Sequence, residues 1–451
     1  MKTKNIFLAT GLSIISVLSA QTNPVITTWL QNTTLTGSHY VQNNFTPIQD
    51  NVAVNVQTVQ YSTNWVYVST NGIPSYTTGS YLDGNPSQAR DQNAIFKFPL
   101  TPTPNTGNPV STTGGNIGVF INGVALFDYR DGVSWNNTTQ TEGGGPIQGP
   151  PGQGVWNRDA VVAERVGFDC AKGHPAMGNY HHHQSPSAFD LDLVPVSTIC
   201  SLYDADGLYV IDSTQHSPLL GFAYDGYPIY GAYSYQNTNG TGPIVRMKSS
   251  YQLRNITVRT HYADGTDVTD GPAVSTTYPL GRYREDYEFI SHSASDYLDE
   301  HNGRFCVTPE YPNGTYAYFC TVDENWNSAY PYAVGPTFYG TYVVSKVTTI
   351  SEPTTTYVSS TAVNETEFNS FSLSVYPNPA SDFIAVQAGS LVTTVLSVQL
   401  VDATGRVVKE TQIVPGSTIA WIDTRTVYDG QYFIRMSSGT FSKTAPVIIT
   451  R

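Results

Sequence analysis

Four of the chain's nine histidines lie close together in "GHPAMGNYHHHQSP" (173–186): His174, His181, His182 and His183. Imidazole can ligate a metal ion, act as a general base, or sit hydrogen-bonded in the wall of a fold. If 180–183 is extended, side chains alternate between faces. His181 and His183 then point one way and His182 the other. Two imidazoles at i and i+2 can share one ion, and neutral imidazole suits zinc, copper, iron or nickel. Zinc and copper are the expected ions. The pair needs a third ligand. His174 is preferred because it is nearest along the chain and its backbone is constrained by "GHP". Asp225, His216, His301 and Glu310 are further candidates. Pro175 and Pro186 bracket the segment, which favours a fixed site over a solvated histidine tract. No G-x-S-x-G motif lies near it, and no aspartate partner for a serine hydrolase can be assigned. Catalytic residues and turnover are therefore unassigned. An open metal position would fit hydrolysis, and copper would fit oxidation.

The elements around these residues must come from a β-rich chain. Of 451 residues, 39% are hydrophobic and only 13% charged, with Gly, Pro, Thr, Ser, Asn and Tyr filling the difference. That is the usage of extracellular β proteins. The net charge of −13, with no basic stripe, excludes nucleic acid as a partner. "MKTKNIFLATGLSIISVLSAQ" reads as a secretory signal peptide over 1–20, cut after Ala20. No later apolar stretch reaches the roughly 20 residues of a transmembrane helix.

Export permits disulfides. A hairpin centred on Asn313 in "VTPEYPNGTYAYF" places Cys306 opposite Cys320, so these two are expected to pair. By elimination Cys170 pairs with Cys200, closing the loop that holds the histidines. Thiol ligation of a metal is disfavoured because no C-x-x-C occurs.

Short strand-like runs cut by turn signals fill 21–345. Examples are "NWVYVSTNGIP" (64–74), "NAIFKFPL" (93–100) and "IGVFINGVALFDY" (117–129), the last with Asn122-Gly123 as a hairpin signal. Residues 136–154 read as an irregular loop, and "NRDAVVAERVG" (157–167) as a short helix. The Thr/Ser-rich stretch 346–370 reads as a linker. A compact strand-like block, 371–451, has the size of a small β-sandwich. In "GFAYDGYPIYG", Asp225 is either a pocket acid or, as favoured here, part of a turn packed by tyrosines. "DADG" (204–207) lacks the remaining ligands of a calcium loop. "YDGYPIYGAYSY" (224–235) could stack on sugar rings. This supports the alternative function, a non-catalytic carbohydrate-binding or adhesion protein with a surface polysaccharide as partner.

The last block resembles the type A C-terminal sorting domain of type IX secretion cargo. "VYPNPASDFIAV" (375–386), "VQLVDATGRVVKE" (398–410) and "DGQYFIRMSSG" (429–439) carry the likeness. The resemblance implies a Bacteroidota-type origin and a seven-stranded sandwich that engages the type IX machinery and is usually removed on export. It also implies a secreted or outer-membrane-associated location. The histidine segment resembles the YHYH family, named for Tyr-His-Tyr-His. Here the motif is Tyr180, His181, His182 and His183, so His182 departs from the family's tyrosine while the same-face pair survives. "GVFINGVALFD" (118–128), "GHP" (173–175), "LLGFAYDGYPIYG" (219–231) and "YLDEHNGRFCVTPEYPNGTYAYF" (297–319) extend the likeness over most of 50–340. It implies one large domain there and brings no activity with it. The expected architecture is a large, irregular, mostly β domain over 21–345 followed by the small sandwich.

Overall fold

The computed structural model describes residues 22–42, 44–81, 83, 87–112, 114–145, 150–186, 213–343, 345–358, 373–388, 395–402, 405–414, 417–438 and 441–451. The expected signal peptide, Cys200 and residues 359–370 of the expected linker lie outside these residues. The chain is mostly β, and among the described residues its helices are single turns of three or four residues. None of these is long and apolar enough to cross a membrane.

Alternating sequence becomes strand. β1 (Val56–Tyr61), β2 (Trp65–Thr70) and β3 (Ala94–Pro99) form an antiparallel meander. Ala94, Phe96 and Phe98 of β3 are buried at every second position. Lys346–Val347 pairs with β3 and Thr355–Tyr357 with β1, making five strands. These two strands fall inside the stretch that reads as linker. Threonine and valine favour extended backbone as well as solvated loops, so composition alone misplaces the boundary.

β4 (Asn116–Phe120) and β5 (Ala125–Phe127) flank Asn122-Gly123, where Gly123 adopts φ +79° and its amide donates to Phe120 O at 2.8 Å. β6 (Arg130–Asn136) pairs with Thr141–Gly144, so a hairpin stands where an irregular loop from 136 was expected. Next come β7 (His174–Ala176), β8 (Asn179–His182), β9 (Leu219–Ala223), β10 (Pro228–Tyr230), β11 (Gly303–Cys306) and β12 (Thr315–Phe319). With β4 and β5 they form an eight-stranded sheet of order β7-β8-β5-β4-β9-β10-β12-β11. Only β8/β5 and β10/β12 are parallel within it. Val119, Phe222 and Ile229 of this sheet share one core with Val59, Val68 and Phe98 of the five-stranded sheet. Phe98 and Phe222 meet with ring centres 6.1 Å apart.

The expected Cys306–Cys320 bridge is not formed, and both thiols are free and buried. The reason is register. Cys306 lies opposite Thr315, and Gly303 lies opposite Tyr318. The turn is therefore centred nearer Tyr311 than Asn313. An odd slip of this kind moves a side chain to the other face of the sheet. Cys320 thus lies beyond the far end of the ladder and on the opposite face from Cys306. Cys170 is disulfide-bonded, while Cys200, its expected partner, is outside the described residues.

The C-terminal block holds seven strands among the described residues. They are β13 (Leu373–Tyr376), β14 (Phe383–Ala388), β15 (Leu396–Asp402), β16 (Val407–Ile413), β17 (Ile419–Asp423), β18 (Gly430–Ser438) and β19 (Phe441–Ile449). They form sheets of order β13-β14-β17 and β16-β15-β18-β19 around a core of Ile384, Val386, Val398, Leu400, Ile434 and Val447. Asp402 accepts from Arg406 N at 3.1 Å and Arg406 Nε at 3.0 Å.

Candidate metal centre

The histidines sit on a hairpin at one edge of the eight-stranded sheet. Its two-residue turn is Met177-Gly178, with φ +50° and +91°, the left-handed pair that a tight hairpin requires. The turn puts His174 directly across from His181. Residues opposite each other in an antiparallel pair share a face. His183 follows two residues after His181 and points the same way. All three histidines are buried.

The approach to β7 is fixed by Asp169. Its carboxylate accepts from Gly79 N at 2.9 Å, Ala171 N at 2.9 Å, Gly173 N at 3.1 Å and Tyr180 OH at 2.8 Å. Gly173 must be glycine, because a Cβ there would come within 2.4 Å of Tyr180 OH and 2.8 Å of His182 Cε1. His182 faces the other way, as alternation demands. Its Nε2 meets Tyr76 OH at 2.8 Å and its Nδ1 donates to Lys172 O at 3.0 Å.

On the shared face three Nε2 atoms converge. His181 Nε2 lies 3.2 Å and His174 Nε2 lies 3.4 Å from His183 Nε2. Ligand atoms of His174, His181 and His183 all lie within 4.8 Å of one another, a spacing that can hold a metal ion. The opposite ring nitrogens are occupied. His181 Nδ1 donates to Asn179 O at 2.9 Å, and His183 Nδ1 donates to Asp128 O at 2.7 Å. Those bonds fix the tautomer and leave Nε2 available as a ligand. Phe127 stacks on the His181 ring, with centres 3.7 Å apart.

A fourth group joins them that the sequence did not single out. Glu164 Oε2 is 3.1 Å from His174 Nε2 and 3.3 Å from His183 Nε2. The expected helix explains its position. Asp159 caps a single turn, Ala160–Ala163, by accepting from Val161 N at 2.9 Å. Glu164 ends that turn and leads into the 3₁₀ turn Arg165–Gly167. In the sequence it is one of several helix formers in the run 157–167.

Burial would raise the Glu164 carboxyl, but hydrogen bonds and charge from His174 and His183 outweigh it and hold it well below the usual carboxylate range. Burial likewise disfavours the His183 cation, yet Glu164 overcomes this and raises its pKa above 6.5. His181 is pushed well below that value, first by burial and then by its two histidine neighbours. Without an ion, the Glu164 carboxylate thus favours the charged form of His183, while burial favours the neutral form of His181.

The site opens onto a cavity of about 820 Å³ whose walls include Phe127, Arg130, Asp131, Arg158 and Met177. Burial lifts Asp131 to about 6 despite its Arg158 partner.

The other candidate ligands lie elsewhere. Asp225 is fully buried and accepts from Tyr318 OH at 2.6 Å and Gly340 N at 2.7 Å. His216 Nδ1 donates to its neighbour's carbonyl, Ser217 O, at 2.7 Å. His301 Nδ1 meets Thr337 Oγ1 at 2.7 Å, and Glu310 accepts from Tyr230 OH at 2.8 Å. None of the four joins the histidine group. Tyr224, Tyr227 and Tyr230, which the sugar-stacking alternative would expose, are buried in the core.

Residues 95–331 match the family described as YHYH protein, and residues 374–450 match the secretion system C-terminal sorting domain. No curated protein matches the chain. The sorting domain implies export to the cell surface or beyond by the type IX machinery.

Proposed function

We propose that this chain, which belongs to the YHYH family and ends in a secretion sorting domain, is an exported metal-binding protein. His174, His181 and His183 supply three imidazole nitrogens, and Glu164 supplies a carboxylate oxygen. This donor set suits zinc or copper. One observation carries the reading. Three Nε2 atoms converge, Glu164 Oε2 lies against two of them, and the Nδ1 atoms of His181 and His183 are engaged by backbone carbonyls. With both Nδ1 atoms donating, the neutral forms of His181 and His183 would turn Nε2 lone pairs toward each other at 3.2 Å. A proton or a metal ion between those two nitrogens relieves that contact, which supports the reading. The adjoining cavity leaves room for a small molecule to reach such an ion.

The deciding experiment is metal content by mass spectrometry on the untagged chain beside the His181→Ala/His183→Ala double variant. Near-stoichiometric metal in the first and none in the second is the expected result. No metal in either after reconstitution with zinc and copper would make the group a hydrogen-bonded wall.

A further inference from the structure

A second cavity, of about 280 Å³, shares one wall with the first. Arg130 lines both. Around the smaller cavity stand Arg284, Tyr251, Tyr287 and Tyr330, with Ala263 exposed on its rim.

The two arginines differ in how fully they are engaged. Arg130 directs Nε to Asp128 Oδ1 at 2.7 Å, while its Nη2 serves Asp128 Oδ2 and the Thr112 carbonyl. No hydrogen bond from its Nη1 to a described residue accompanies these. Arg284 pairs through Nε with Glu285 Oε1 at 3.0 Å, but its Nη1 is buried with no hydrogen-bond partner. A guanidinium stays charged at any ordinary pH, so a buried N–H without an acceptor is costly. Glu285 is shared among several donors and does not reach that Nη1. Its oxygens already accept from Asn157 N and Asn157 Nδ2, both at 2.7 Å.

Each arginine thus has a carboxylate neighbour, and the cavity has little net charge to offer. What it offers is unused donors. Guanidinium N–H groups fit planar or tetrahedral oxyanions, which bring acceptors and no competing donors. The tyrosine walls suit the body of a small organic ligand.

We propose that this cavity binds a small ligand through an oxyanion group, a carboxylate, sulfate or phosphate, held by Arg284 and Arg130. The site stands independently of the metal centre. Arg130 is the one residue lining both cavities.

Isothermal titration of the full chain with acetate, sulfate, phosphate, glucuronate and glucose, at fixed ionic strength, tests this. Saturable binding of one equivalent of an oxyanion is expected, with glucuronate binding more tightly than glucose. Loss of a charge-assisted bond makes Arg284→Gln weaker by roughly 10- to 100-fold. The His181→Ala/His183→Ala variant should bind as the wild type does. Should Arg284→Gln melt early, the exposed Ala263→Glu decides in its place by setting a like charge at the rim and weakening oxyanion binding. The proposal is overturned if no oxyanion saturates the wild type or if glucose binds as well as glucuronate. It also falls if the deciding variant binds unchanged, or if binding follows the histidines and so places the anion on the metal.

Discussion

Replacing Glu164 by glutamine separates a metal ligand from a hydrogen-bonding neighbour. The change keeps shape and one acceptor oxygen but removes the charge. In the ion-free protein Glu164 Oε2 lies 3.1 and 3.3 Å from two imidazole nitrogens. Opposite charges at that range attract by about 5 kcal/mol at an effective dielectric of about 20. Desolvation offsets part of this, and breaking a buried pair typically costs about 3–5 kcal/mol. With one acceptor retained, about 2 kcal/mol is expected, or a melting shift of roughly 4–8 °C. Because Glu164 raises the His183 pKa above 6.5, this stabilisation is complete below the unfolded value of 6.5 and fades as pH rises through the folded value. The melting loss should therefore be largest in mild acid. A divalent ion carries twice the charge of an imidazolium and approaches the carboxylate more closely. The same substitution should then cost at least about 3 kcal/mol of metal affinity, over a hundredfold in Kd. Competition against a chromophoric chelator at neutral pH measures this. Zinc affinity in Glu164→Gln within about threefold of the wild type would refute the carboxylate as a ligand.

Zinc affinity should fall on acidification, by about tenfold per pH unit for each proton displaced, because Glu164 strengthens His183's hold on a proton that zinc must displace. His181, already neutral through burial, adds no slope; an affinity that is flat with pH would contradict this. His182→Phe should keep full metal content yet lose about 2 kcal/mol of stability in a denaturant titration, since the bonds to Tyr76 OH and Lys172 O are lost. Phe127→Leu removes the ring stacked on His181 and should weaken zinc binding about threefold to tenfold with little change in melting. Alkylation of the unfolded, unreduced chain should label Cys306 and Cys320 and leave Cys170 unlabelled.

The histidine face was legible because it depends on one local rule. Alternation along an extended segment places His181 with His183 and turns His182 away, whatever the rest of the fold does. His174 was legible as a neighbour but not as a cross-strand partner, since Met177-Gly178 carries only half of the usual Asn-Gly turn signal. The cysteine pairing failed on a longer-range quantity. Register through a turn is set by which residues bury on each face, and an odd slip reverses them all. The buried tyrosines of 224–230 show the same limit, because composition cannot distinguish a core aromatic from a displayed one. Glu164 was least legible of all. It lies ten residues before His174 in a run of good helix formers, and its own surroundings call for nothing but solvent. Only the path of 165–173, held by the Asp169 carboxylate, carries the chain from that helical turn back to the hairpin and lets a carboxylate meet the imidazoles. A site assembled from a strand face and a distant turn is half readable from sequence, because periodicity reports the face and nothing local reports the return.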